Sequence, residues 1–281
     1  MSHRPGGQHG AQPFFLQTGQ GERFCIYHAP DPAMPRRGAL LYIHPFAEEL
    51  NKTRRMAALQ ARAFAAAGYA VLQLDLYGCG DSSADFADAR WEIWKQDLAL
   101  AGAWLTQKTG AALSLWGLRL GALLLLDFAR DTAIELASVF LWQPVFNGKA
   151  CLGQFLRMHI ASQMLAAASP GTIGGEALRH EIRRGVTLEI GGYCLAPELA
   201  LAIDALDGAS LAPPGCPLHW FELVLPATGK LAPATARLAE AWRNAGSQVH
   251  LHPVCGVPFW ATAEIAECQA MLAATAAVCT A

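Results

Sequence analysis

Residues 113–126 read LSLWGLRLGALLLL. An apolar run enters Gly117, Arg119 follows two places later, and Gly121 opens a second apolar run. The first run suits a strand buried on both faces, the second a helix. The joint has the form Gly-x-Arg-x-Gly. In strand–turn–helix joints of the form Gly-x-Ser-x-Gly the middle residue is a nucleophile held at the end of a sheet. A guanidinium stays protonated and has no lone pair to attack with, so the joint is kept and its usual chemistry is not.

Outward from this joint the chain alternates. RFCIYHAP (23–30), ALLYIHPF (39–46), YAVLQLDL (69–76) and SVFLWQPV (138–145) read as strands, as do LHWFELV (218–224) and QVHLHPV (248–254). Helical spacing runs from about Thr53 to Ala67, Ala89 to Gln107, Leu120 onward, 232–246 and Glu264 to Val278. The first dozen residues read as a flexible tail. Between about 147 and 211 the strands stop and the chain reads as helical and irregular. Alternating strands and helices predict a mostly parallel sheet with helices on both faces, in one domain, with 147–211 as a helical lid. In such sheets ligands meet the carboxyl ends of the strands.

Composition narrows the classes. The chain has 281 residues, 53% hydrophobic and 16% charged, which favours a large core over disorder. A net charge of -2 offers no electrostatic case for nucleic acid. The opening MSHRPGGQHGAQ is polar with no apolar core after it, so no secretory signal is expected, and no run is long enough for a membrane span. Eight scattered cysteines without a C-x-x-C pair read as reduced thiols, and a cytoplasmic location is expected. No cofactor or metal is expected. The positive mean hydropathy leaves room for an apolar surface.

Three motifs in order carry a resemblance. His44-Pro45-Phe46 follows a strand, DLYGCGDS spans Asp75 to Ser82, and GLRLG spans Gly117 to Gly121. Together they resemble the oxyanion loop, the D-x-x-G-x-G-x-S turn and the nucleophile elbow of the α/β-hydrolase superfamily, over about Arg23 to Val278. Within it, HPFAEELNKTRRM (44–56) and WGLRLGA (116–122) are similar to the exosortase A system-associated hydrolases, second group. That resemblance implies a setting beside bacterial protein-sorting and exopolysaccharide genes.

The superfamily's chemistry needs a nucleophile, a histidine and an orienting carboxylate. The nucleophile place is Arg119. The loop where the acid is expected, LPATGKLAP (225–233), holds no Asp or Glu and centres on Thr228. The loop where the histidine is expected, CGVPFWAT (255–262), holds Pro258 and no His. Pro45 has no N–H to give an oxyanion, leaving Phe46 and Leu120 as donors. Arg119 therefore reads either as an anion receptor at a helix N-terminus or as a plug paired to a carboxylate. Glu48, Glu49 and Glu222 are the candidates, with Glu222 or Glu48 expected first. His44 reads as loop structure or as part of the ligand site. Asp75, Gly78 and Gly80 read as turn formers, and Cys79 as an inert thiol or a surrogate nucleophile. His250 and His252 face one side of a strand, as structural residues or a metal pair lacking a third ligand. Arg54 and Arg55 read as paired arginines or a phosphate site. Two function classes stay open. One is a degenerate binder of an acyl, carboxylate or other anionic ligand, or of a protein partner of the sorting system. The other is an atypical ester or thioester hydrolase.

Overall fold

In the computed structural model, residues 10–166, 174–211, 215–224 and 229–280 are described. The strands are β1 (Gln12–Thr18), β2 (Gly21–His28), β3 (Gly38–Ile43), β4 (Tyr69–Leu74), β5 (Leu113–Leu118), β6 (Leu136–Trp142), β7 (Leu188–Ile190), β8 (Tyr193–Leu195), β9 (Leu218–Val224) and β10 (Val249–Cys255). The helices are α1 (Glu48–Ala66), α2 (Trp91–Thr109), α3 (Leu120–Asp131), α4 (Gly148–Ala166), α5 (Gly175–Arg183), α6 (Pro197–Asp204), α7 (Pro233–Asn244) and α8 (Gln269–Thr280).

Eight strands form one sheet in the order β1-β2-β4-β3-β5-β6-β9-β10. The strands from β4 to β10 in that order are parallel, and β1 and β2 join antiparallel at one edge. Every residue of β5 is buried, as its unbroken apolar run requires of a central strand covered on both faces. One face carries α1 and α8 over Met56, Phe64, Trp116, Trp142 and Met271. The other carries α2, α3 and α7 over Leu98, Leu115, Leu125 and Trp220.

Four element readings change. β1 lies where only a tail was expected. Its burial alternates between exposed and half-buried, so it lacks the apolar run that marks the inner strands; residues 1–9 of that tail lie outside the described residues. α1 starts at Glu48, five residues before Thr53, behind Ala47 at φ 49° with no side-chain cap. A start without Ser, Thr, Asp or Asn carries no sequence signal. α8 starts at Gln269 instead of Glu264, because 264–268 form irregular chain held against α1, where the Cys268 N–H meets the Met56 sulfur and Glu267 pairs with Arg55. Finally, the segment between β6 and β9 holds α4, α5 and α6 and also a β7–β8 hairpin turned through Gly191 and Gly192, both at positive φ. Gly192 supplies the left-handed backbone that a two-residue turn needs. This segment packs on α2 and on the turn at Phe86–Asp88.

Candidate functional site

The site is built around Arg119. It sits between β5 and α3 at φ 56°, ψ −119°, a conformation that non-glycine residues rarely adopt. Neighbouring backbone holds it there. The Arg119 N–H donates to the Trp142 carbonyl at 3.0 Å, and the Arg119 carbonyl accepts from Ala122 at 3.1 Å and Val145 at 3.2 Å. The flanking glycines permit the close approach. A Cβ on Gly121 would lie 2.4 Å from the His44 carbonyl oxygen, and one on Gly117 2.7 Å from the Ala122 Cα. A strained residue persists where its surroundings over-determine it, and here three hydrogen bonds and two glycines do so.

The guanidinium rests between two side chains. Its Nε donates to Glu49 Oε1 at 3.2 Å, and its Cζ lies over the Trp260 ring, 5.1 Å from the ring centre. Arg119 and Glu49 expose 14% and 17% of their side chains. Burial raises the Glu49 carboxyl above the usual carboxylate range, with Arg119 pulling the other way. Trp260 comes from the loop where a catalytic histidine was sought; an indole stacks on the cation in its place. The Nη nitrogens of Arg119 make no hydrogen bond to any described residue.

The expected first partners are elsewhere. Glu222 closes β9, where its Oε2 accepts from the Thr235 hydroxyl at 2.7 Å and its Oε1 from the Ala232 N–H at 3.5 Å. It caps the start of α7, a favourable place for a carboxylate near free N–H groups. Glu48 makes no ion pair among the described residues; burial raises its carboxyl too. Glu48 and Glu49 share the first turn of α1, and only Glu49 projects to the elbow. Burial also pushes the nearby Cys151 thiol, on α4, up to about 12.

The remaining readings resolve by contact. His44 links two loops: its Nε2 accepts from the Leu76 N–H at 3.2 Å and its Nδ1 donates to the Pro45 carbonyl at 2.7 Å. Those partners require the neutral Nδ1–H tautomer, and burial lowers its basicity. The ring is thus a strut between loops. Phe46 packs edge-on to Phe155 at 5.0 Å and tilts against Phe86 at 5.5 Å. With Leu120 and His44 it lines a cavity of about 10 Å³ under the elbow, room for about one water. Cys79 is buried, and desolvation, reinforced by Asp75, raises its thiol far above the reactive range. Asp75 takes the Arg54 guanidinium two-pronged, at 3.1 and 2.9 Å, and the Asp81 N–H at 3.0 Å. Gly80 at φ 55° leaves room for that pair, since a Cβ there would lie 2.0 Å from Asp75 Oδ2. Arg55 pairs with Glu267. Thr228 lies outside the described residues.

His250 and His252 do share a face, and the sequence reading missed what joins them. His219 on β9 stacks on both rings at 4.9 and 5.4 Å, and its Nδ1 lies 3.2 Å from His252 Nε2. The signal was there: His219 is the second residue of a paired parallel strand. This stack lies toward the amino ends of β9 and β10, away from Arg119. Among the described residues no group of three or more His, Cys, Asp or Glu is placed to hold a metal, and no hydrogen bond of a described histidine reaches the elbow. No helix among them is long and apolar enough to cross a membrane.

No protein-family profile matches the sequence, and no curated protein matches it. Solved structures do. Est1E from Butyrivibrio proteoclasticus, with ferulic acid bound, is 13% identical over 95% of this chain and 96% of that chain, with a TM-score of 0.64. A lipase in an open form is 16% identical over 96% and 97%, also at 0.64. The thioesterase domain from the curacin biosynthetic pathway is 16% identical over 97% and 100%, at 0.59. The chain has the α/β-hydrolase fold.

Proposed function

We propose that this chain is a non-catalytic member of its fold that receives a carboxylate or similar anionic head group, such as that of an acyl ligand, at Arg119. The observation that carries this reading is the half-used guanidinium. Arg119 is held rigidly at the carboxyl end of the sheet, at the N-terminus of α3, with only Nε engaged among the described residues. Its two Nη nitrogens are the fork that binds carboxylates two-pronged, and the helix N-terminus favours the same charge. The Arg119–Glu49 pair is the resting state, in which an internal carboxylate occupies the receptor.

Catalysis by the usual route lacks its parts. Arg119 cannot attack, His44 has both ring nitrogens committed, and the Cys79 thiol is buried and protonated. The sequence resemblance of 44–56 and 116–122 further supports a place with the second group of exosortase A system-associated hydrolases. The protein would then act in the cytoplasm, with a component of the sorting or exopolysaccharide apparatus as partner. The first experiment is an assay of the purified chain on p-nitrophenyl butyrate and an acyl thioester, beside calorimetric titration with hexanoate. The expected result is no turnover above buffer and saturable hexanoate binding that Arg119→Ala removes. Turnover that survives repurification and vanishes on changing Arg119, Cys79 or His44 overturns the reading.

A further inference from the structure

Three histidines meet on the face of the sheet that carries α8, toward the amino ends of β9 and β10. In the parallel register His250 lies opposite His219, and His252 opposite Phe221. Phe221 and Val254, on the same face, are buried. The histidines are not: His219 and His252 are half-buried and His250 is exposed, so solvent reaches the cluster. Phe140 on β6 stacks on His219 at 5.2 Å, and Phe221 stacks on His252 at 4.4 Å. These ring contacts hold the two imidazoles where the strands place them.

Two nitrogens of the cluster face each other, His219 Nδ1 and His252 Nε2, 3.2 Å apart. Among the described residues no carboxylate or backbone group bonds to any of the three rings, and His250 makes a ring contact only. A facing pair of neutral imidazoles shares one proton. The same spacing suits a metal ion, since two imidazole nitrogens at about 2.0–2.1 Å from a tetrahedral zinc ion stand about 3.3 Å apart.

We infer that His219 and His252 form a two-point clamp, separate from Arg119, for a divalent transition-metal ion of the zinc class, with water filling its other positions. Ligand type sets the choice of ion. Imidazole suits zinc, copper and nickel, whereas magnesium and calcium take oxygen ligands. The clamp has two protein ligands and no third, as the absence of a larger placed group among the described residues requires. His250 backs the His219 ring by stacking at 4.9 Å. The proton balance is simple. The ion replaces the shared proton, and the ring that donated it carries it on its far nitrogen, Nε2 of His219 or Nδ1 of His252. Both rings stay neutral. Because one ligand comes from β9 and the other from β10, the bound ion ties the edge strand to its neighbour.

The test titrates the full chain with Zn²⁺, and separately with Mg²⁺, by calorimetry near neutral pH. Zn²⁺ should bind saturably and Mg²⁺ not at all. The exposed thiols Cys194 and Cys255 also attract Zn²⁺, so variants and the imidazole nitrogens identify the clamp. His219→Phe and His252→Phe keep a ring for stacking, and circular dichroism should show the fold intact. Each should weaken the same binding event at least about tenfold, the least that an outer partner of a metal ligand is worth. His250→Phe should leave that event nearly unchanged. In 15N imidazole spectra Zn²⁺ should shift Nδ1 of His219 and Nε2 of His252, while their far nitrogens keep protons. Arg119→Ala should leave Zn²⁺ binding unchanged, so this site can fail while the anion receptor stands, and the reverse. The inference is overturned if every Zn²⁺ binding event survives His219→Phe or His252→Phe. A loss with His250→Phe as large as with the other two, or imidazole resonances that do not move, also overturns it. Should a variant fail to fold, the 15N spectra of the wild-type chain decide.

Discussion

Arg119 Nε donates to Glu49 Oε1 at 3.2 Å, joining the turn after β5 to the first turn of α1. The contact is single-pronged and one-seventh exposed. It closes the elbow with an ion pair that a stronger, two-pronged partner can displace. Glu49→Gln weakens the internal competitor. A partly exposed pair of this kind contributes about 1 kcal/mol, so hexanoate affinity should rise about fivefold. Calorimetry on the variant checks this; an unchanged or lower affinity counts against Glu49 as the resting occupant.

Acidification should act in the same direction. Burial raises the Glu49 carboxyl, so the folded protein holds that proton more tightly than the unfolded chain does. Falling pH therefore adds stability through this group and loosens its hold on Arg119, while a carboxylate probe is still mostly ionised at about pH 5.5. Hexanoate should bind more tightly at pH 5.5 than at pH 7, and Glu49→Gln should flatten that dependence.

Arg119→Ser alone should not create a hydrolase. A serine hydroxyl without a base is a poor nucleophile at neutral pH, and the loop that would supply a histidine presents Pro258 and Trp260. Stopped-flow assay with p-nitrophenyl acetate should show neither burst nor turnover. A burst would reveal a base that the hydrogen bonds around the elbow do not include.

The histidine stack should make the protein acid-sensitive. His219 is pushed down to about 4, first by burial and then by His250 and His252. Its folded value lies below the unfolded one, about 6.5, so its stabilising effect is complete above pH 6.5 and is lost as pH falls toward 4. His219→Phe would keep the stacking with Phe140, which lies 5.2 Å away, and remove the proton site. The midpoint of urea unfolding should fall from pH 7 to pH 5 in the wild-type chain and fall less in the variant.

Gln60 marks a place where stability can be gained. It is fully buried in α1 and neither amide atom has a hydrogen-bond partner among the described residues. Gln60→Met keeps the length of the side chain and removes both polar atoms. Stability should rise by about 1–3 kcal/mol, read as a higher unfolding midpoint at unchanged slope. A lower midpoint would mean that the amide is satisfied in solution.

The sheet was legible because its inner strands are continuous apolar runs punctuated by glycine, and β5 with Gly117 and Gly121 located the elbow. What the sequence hid follows from physics that leaves no local mark. β1 is an edge strand with a half-wet face, so its residues show no apolar run. α1 starts on Ala47 without a cap, so the polar EELNK stretch reads as loop. The choice among three glutamates for Arg119 depends on which one the first turn of α1 aims at the elbow. Glu222 looked well placed along the chain, yet Thr235 and the start of α7 claim it. His219 joins His250 and His252 only because β9 and β10 pair in register.

The most direct test of the central claim is the arginine side-chain 15N–1H spectrum during titration with hexanoate, with Arg119→Lys used to assign the signal. An arginine receptor predicts that the Arg119 Nε–H resonance shifts saturably as the added carboxylate replaces Glu49. An Arg119 resonance that stays fixed through concentrations at which hexanoate saturates the protein would place the ligand elsewhere and leave Arg119 as a plug.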